Sequence, residues 1–381
     1  MEPAANVAGF TIVALEESTT PPTAAPEPSE PPRAPEETPN PLDPAGYIAP
    51  PPEDHGPAIE VKDLRKRYGK LRAIDGVSFT VRPGEIIGFL GPNGAGKSTT
   101  MRILTGLQAA DSGEARVAGF NVATDPQQVP QHVGFMSENN PLPEDLRVGE
   151  YLCLRAKLKG LRGRRRRQRE EEVKRLCELD KKTCRKLIGS LSKGFRQRVG
   201  IADVLLAEPQ IVIMDEPTIG LDPHQIRTMR KLIRSLKDRM TVILSSHILP
   251  EIEACCDRVI IINHGRIVAC NTPAELRREF IPERTFRLLT DAPPEALAEL
   301  CDGSQHPFAV ETEGKPGPDG FRQYHLTAPN PEDDPAPLLA SAQAKGWQVR
   351  EAALLDPTLE QVFVAATRKS WKDEENAPEA A

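Results

Sequence analysis

The sequence predicts an α/β fold built on a mainly parallel sheet, and three observations carry that expectation. The first is a set of short, nearly all-apolar runs, Ile86 to Leu90, Ile211 to Met214, Thr241 to Leu244 and Arg258 to Ile262, separated by helical or loop sequence. Strands that are apolar on both faces belong in a covered sheet, the usual setting of parallel strands joined by helices. The second is the order of strand, glycine-rich loop and helix between Ile86 and Leu104. The third is a helix-like stretch from 144 to about 188, with apolar positions at Leu146, Tyr151, Leu154, Leu158, Val173, Leu176 and Leu179. It marks a helical subdomain at about 144–200.

Four segments follow from composition and pattern. Of the 38 prolines in the 381 residues, 15 fall in residues 1–57, together with ten acidic residues against the single base Arg33. Such a segment cannot bury enough apolar surface to offset its chain entropy and is expected to be a disordered tail. Residues 58–282 form the main domain, opening with the strand-like runs Ile59 to Val61 and Val77 to Val81 and a turn at Arg82-Pro83-Gly84. Residues 283–368 are expected to form a small α+β domain, with strand-like Phe286 to Leu289 and Tyr324 to Leu326 and a helix near Thr358 to Ala366. A second disordered tail is expected at 369–381.

Several classes are disfavoured at this point. The seven cysteines, at 153, 177, 184, 255, 256, 270 and 301, show no CxxC pair and no zinc-ligand spacing, as expected of a reduced protein. No run approaches the roughly 20 apolar residues of a membrane-spanning helix, so no span is expected. Phe10 to Leu15 is short, follows the acidic Glu2 and does not read as a signal peptide. Outside the acidic tail the charge is close to neutral. The basic run Arg162 to Arg169 is read as a solvated helix turn with Glu170, Glu171 and Glu172 as internal partners.

The chemistry starts at Gly91-Pro92-Asn93-Gly94-Ala95-Gly96-Lys97-Ser98, which fits GxxxxGK[ST] in full. Its glycines let backbone N–H groups turn inward around phosphate oxygens, and the helix that starts near Lys97 adds the positive end of its dipole. Lys97 would neutralise the β and γ phosphates of ATP, Ser98 would place its hydroxyl on Mg²⁺, and Thr99 follows at the helix start. Ile211 to Met214 then delivers Asp215 and Glu216 to the carboxyl end of a strand, where open α/β sheets place ligands. Asp215 would hold the Mg²⁺ shell, and Glu216 would polarise the attacking water.

A phosphate loop with two acids does not set the reaction class. Leu191-Ser192-Lys193-Gly194-Phe195-Arg196-Gln197-Arg198 resembles the LSGGQ signature of ATP-binding cassette (ABC) ATPases. Gly220-Leu221-Asp222-Pro223 resembles that family's D-loop, and His247 in Leu244-Ser245-Ser246-His247 its switch histidine. Tyr68 lies where the family places the aromatic that stacks on adenine. The resemblance covers about residues 58 to 282. It implies a P-loop ABC-type nucleotide-binding domain that hydrolyses ATP as a dimer, homo- or heterodimeric. In that dimer Ser192 and Gly194 of one cassette contact the γ phosphate held by Lys97 of the other, while His247 and Glu216 hold the water.

Two motifs depart from the family pattern. Lys193 and Phe195 replace a glycine and a glutamine of the signature, and Glu138, in Val133-Gly134-Phe135-Met136-Ser137-Glu138, stands where a metal-contacting glutamine is common. These variants, and Glu-Gln-Val-Phe at 360 to 363, resemble the ABC-2 exporter branch, which includes gliding-motility and drug-export ATPases. That branch implies integral membrane permease subunits as partners and a cytoplasmic location, peripheral on the inner face of the cell membrane. The alternative is a soluble family member acting on nucleic acid or ribosomes. It usually shows two cassettes in one chain, a long coiled coil or zinc-binding cysteines, none of which is read in this sequence, so no nucleic acid is expected. A kinase or GTPase on the same loop is disfavoured by Ser192 and Gly194.

Overall fold

The computed structural model describes residues 56–302, 308–313, 316–328, 330 and 333–375. The expected tail at 1–57 therefore lies outside the described residues except at its last two positions. The chain opens with β1 (Ile59–Tyr68) and β2 (Leu71–Val81), joined by a hairpin in which Gly69 takes φ 59°. β3 (Ile86–Leu90) and α1 (Lys97–Leu104) flank the glycine-rich loop. β4 (Ser112–Val117), β5 (Phe120–Asn121), the short α2 (Val129–His132) and β6 (Val133–Met136) follow. β2, β1, β4 and β5 form an antiparallel sheet in that order.

The helical subdomain contains α3 (Val148–Leu158), α4 (Gly163–Leu176), α5 (Lys181–Cys184) and α6 (Lys193–Leu205), with a 3-10 turn at Ile188–Ser190. The basic run opens α4. Arg166 pairs with Glu170 at 3.1 Å and Arg169 pairs with Glu172, as expected. Arg169 is also buried, reaching the carbonyls of Leu205 and Leu206, and both Arg165 and Arg169 meet Glu208. Part of the run thus ties α4 to the end of α6 and is not a purely solvated turn.

β7 (Ile211–Met214), α7 (Pro223–Arg234), β8 (Thr241–Ser245), α8 (Leu249–Cys255), β9 (Arg258–Asn263), β10 (Arg266–Asn271) and α9 (Pro273–Phe280) complete the main domain. The central sheet has the order β10, β9, β3, β8, β7, β6; its strands are parallel except for the edge strand β10. Alternation along the strands explains their apolar sequence. Ile86 and Leu90 join a core with α3, α6 and α7, whereas Ile87 and Phe89 join a core with β1, β2 and α1. The sheet is covered on both faces, so both sets of alternating side chains are apolar.

The third region begins with β11 (Arg284–Thr290), α10 (Pro294–Asp302), β12 (Ala309–Glu313) and β13 (Arg322–Ala328). It continues with α11 (Ala336–Ala344), β14 (Val349–Leu355) and α12 (Leu359–Glu375). Its antiparallel sheet runs β12, β13, β11, β14, the arrangement of a split βαβ domain, around its own core of Phe286, Leu288, Tyr324, Leu326 and Leu338. The last helix leaves that core. Leu359, Val362 and Ala366 pack into the main-domain core with Ile252 and Leu276, and α12 lies against α8, α9, β9 and β10. It also runs past residue 369, so that part of the expected second tail is helical; residues 376–381 lie outside the described residues.

Candidate active site

β3 feeds Gly91 directly into the loop, and two of the glycines are required by close packing. A Cβ on Gly91 would stand 2.4 Å from the Ile262 carbonyl oxygen. Gly96 sits at φ 107°, and a Cβ there would stand 2.4 Å from the Ala73 carbonyl oxygen. The loop is wedged between the end of β9 and the start of β2. Gly96 is also the N-cap of α1 and has no side chain to cap it, which leaves the first helical N–H groups for an anion. Pro92, Asn93 and Gly94 are exposed, Ala95 is buried, and Ser98 and Thr99 are half-buried.

Lys97 is buried, and its ammonium donates back to the carbonyls of Gly91 at 2.7 Å and Pro92 at 3.2 Å. Burial holds its pKa below the ordinary lysine value, while the charges of Glu216, Asp215 and Glu138 act the other way. Those three carboxylates therefore share the field of the lysine. Glu138 lies exposed on the turn after β6, so this departure from the family pattern puts its charge beside the loop.

β7 and β8 bring up the acids. The Ser245 hydroxyl donates to Asp215 Oδ1 at 2.6 Å and accepts from the Glu216 backbone N–H at 2.9 Å. The Asp215 N–H donates to Met136 O, fixing this corner to β6. Glu216 is buried at φ 51°, a left-handed conformation that few non-glycine residues adopt. Its Oε2 stands 2.7 Å from His247 Nδ1.

The remaining candidates form a second group. Asp222 caps α7, accepting from the N–H groups of His224 at 3.0 Å and Gln225 at 2.9 Å. Ser192 is the N-cap of α6 and its hydroxyl makes no capping bond. Gly194 is packed so closely on α7 that a Cβ would stand 2.5 Å from Gln225 Oε1, and the side chain of Lys193 lies over Gly220. Lys193 and Gly194, beside Ser192, thus meet the Asp222 segment of their own chain. Tyr68 ends β1 as an exposed residue, 44% accessible, with Lys66 Nζ at 5.9 Å from the ring centroid.

Among the described residues, no three His, Cys, Asp or Glu side chains cluster so as to hold a metal ion alone. Ser98 and Asp215 still suit Mg²⁺, a hard cation that takes one or two protein oxygens and completes its shell with water and phosphate.

The family described as "ABC transporter" matches residues 74–219; a second, described as "AAA domain, putative AbiEii toxin, Type IV TA system", matches 187–252. The linearmycin resistance ATP-binding protein LnrL of Bacillus subtilis is 30% identical over 83% of this chain and 100% of its own length. The chain belongs to the ATP-binding cassette family. The doxorubicin resistance ATP-binding protein DrrA of Mycobacterium tuberculosis is 35% identical over 81% of this cassette chain and 93% of its own length. A solved ATP-binding subunit of an ABC transporter aligns with TM-score 0.54 and 33% identity, over 58% of this chain and 93% of that one. A dimeric cassette in a post-hydrolysis state with ADP and Pi aligns with TM-score 0.52 and 25% identity, over 56% of this chain and 98% of that one. This chain is an ABC ATPase, the ATP-binding subunit of a transporter.

Within the cassette, sequence reasoning missed Ser245 and Gln225. Ser245 stands two residues before His247 in the motif quoted for its histidine, so a signal was present. Gln225 carries none, because only packing against Gly194 reveals it.

Proposed function

We propose that this cassette drives an ABC-2 type exporter, hydrolysing Mg-ATP at a site shared between two cassettes and acting on separate membrane permease subunits. The pairing of buried Glu216 with His247 beside Lys97 carries the hydrolytic part of this reading. The names of LnrL and DrrA, both resistance ATP-binding proteins, favour export of an antibiotic-like compound. Among the described residues no helix is long and apolar enough to cross a membrane; in this reading the permease partners supply the route across it. The cassette would then work peripherally, on the cytoplasmic face.

The nucleotide supplies the γ phosphoryl as electrophile, with Mg²⁺ to neutralise charge on the phosphate oxygens. Lys97 exchanges its two carbonyl acceptors for phosphate oxygens, which are stronger partners for an ammonium. The N–H groups from Gly94 to Thr99 would surround the phosphates, Ser98 and Asp215 would hold the cation, and Tyr68 would stack on the base. Glu138 offers a further carboxylate on the metal side. Glu216 accepts a hydrogen bond from the attacking water, and His247 fixes the position of that carboxylate. Ser192 and Gly194 of a second cassette, with Asp222, close the site.

The test is a Glu216→Gln variant. It should bind ATP, lose most turnover and accumulate as an ATP-bound dimer in light scattering; wild-type turnover would sink the assignment.

A further inference from the structure

A second polar cluster lies behind the hydrolytic pair. Glu251, in the first turn of α8, is 2% exposed, and Thr218, two residues past Glu216, is likewise 2% exposed. Arg230 approaches from α7, which packs on α8. Glu251 Oε1, Thr218 Oγ1 and Arg230 Nε are all buried, and none closes a hydrogen bond to another protein atom. Buried polar atoms are normally satisfied, so three unsatisfied ones drawn from three segments need an explanation.

The electrostatics identify the neighbours. Burial pushes the Glu251 carboxyl up, opposed by the Thr218 hydroxyl and the charges of Arg230 and His247, with Glu216 pushing in the same direction as burial. The Thr218 hydroxyl thus bears on the carboxyl as a hydrogen-bonding neighbour, although neither Thr218 Oγ1 nor Glu251 Oε1 has a well-formed partner. Glu251 shares its field with both members of the hydrolytic pair. It sits on the helix that starts two residues after His247, and it faces the helix that starts at the Asp222 cap.

We propose that Glu251 is a positioning residue for hydrolysis: with Thr218 and Arg230 it sets the Glu216 turn and the His247 helix against α7. Movement of α7 at the Asp222 end then alters the separation of Glu216 and His247. This inference rests on the ATPase roles given above to Glu216 and His247.

Steady-state ATPase assays on the full chain test it. Glu251→Ala should lower kcat by about tenfold or more while the KM for ATP stays within about twofold. Glu251→Gln, with the same shape and hydrogen-bonding reach, should recover at least roughly half of the wild-type kcat. Thr218→Val should lower kcat by about threefold, and the Thr218→Val/Glu251→Ala double variant should fall no further than Glu251→Ala. Wild-type kcat in Glu251→Ala overturns the proposal, as does a fall in kcat matched by a lower melting temperature and left unrepaired by glutamine. If Glu251→Ala does not fold, Thr218→Val decides alone, and wild-type kcat in it overturns the proposal. Glu216→Gln in the same assay separates the two levels: its inactivity beside a fully active Glu251→Ala removes only the positioning role, whereas its activity removes the parent reading.

Discussion

His247 Nδ1 and Glu216 Oε2 stand 2.7 Å apart, and the His247 backbone N–H faces the same oxygen at 3.4 Å. The two residues follow neighbouring parallel strands, so their contact is set by the register of β7 against β8. His247→Ala is expected to lower kcat by roughly 10²-fold, the usual scale for losing a positioned group at a proton-transfer site. ATP affinity, measured by titration calorimetry, should stay close to wild type. A variant with unchanged kcat would show that the imidazole has no part in hydrolysis.

Lys97 is a buried cation whose partners are two backbone carbonyls. Its removal should act in opposite directions on binding and on folding. Lys97→Met is expected to weaken ATP binding by about 100-fold through loss of a charge-assisted phosphate contact. Without nucleotide, its melting temperature should equal or exceed the wild-type value, because no charge remains to be desolvated. Thermal melts with and without Mg-ATP check both: the wild type rises with nucleotide and the variant does not.

Gly96→Ala introduces a side chain at φ 107° and within 2.4 Å of a carbonyl oxygen. Both effects are unfavourable, and together they should destabilise the chain by on the order of 2–4 kcal/mol in urea unfolding. Because the loop must move to relieve the clash, nucleotide binding should fall in the same variant.

Asp75 joins the first hairpin to β10 through Arg266, at 2.7 Å, and pairs within the hairpin with Arg65, at 2.9 Å. The Arg266 hydrogen bond is the main cause holding its carboxyl below the ordinary value of 3.8, with the charges of Arg266, Arg72 and Arg65 adding to it. A depressed carboxylate stabilises the fold above its unfolded pKa and loses that contribution as pH falls through its folded pKa. Asp75→Asn should therefore cost about 1 kcal/mol at pH 7, discounted for the exposed arginines, and little in acid once the pH has fallen through the depressed folded pKa. Urea melts at pH 7 and in acid would reveal the difference; an equal loss at both would rule out ionisation as the cause.

The strands that carry the site were readable because burial on both faces leaves a continuous apolar run, as at Ile86 to Leu90 and Ile211 to Met214. The expectations for β4, β6 and β10 were absent for the converse reason. Ser112–Val117 and Arg266–Asn271 are partly exposed and mix polar with apolar residues, and Val133–Met136 is only half-buried at alternate positions and is interrupted by Gly134. The candidate site was legible wherever its chemistry needs consecutive residues, as in Gly91 to Ser98. Contacts made across the fold were not: the Ser245 bridge, the seat of Gly194 on Gln225 and the cluster around Glu251 depend on which helix faces which.

The helix at 359–375 changes what kind of object the third region is. With α9 before it and α12 after it both seated on the main-domain core, the split βαβ unit is held at two points, like a bead on a closed loop. Arg277 of α9 strengthens the clasp, donating to the Pro357 carbonyl at 2.6 Å and pairing with Glu253 of α8. A cut at residue 282 would strip Leu359, Val362 and Ala366 from Ile252 and Leu276 and leave an apolar strip open to water. The cassette of this chain is thus finished by its last helix, and the shortest fragment expected to stay soluble must keep both ends of the loop.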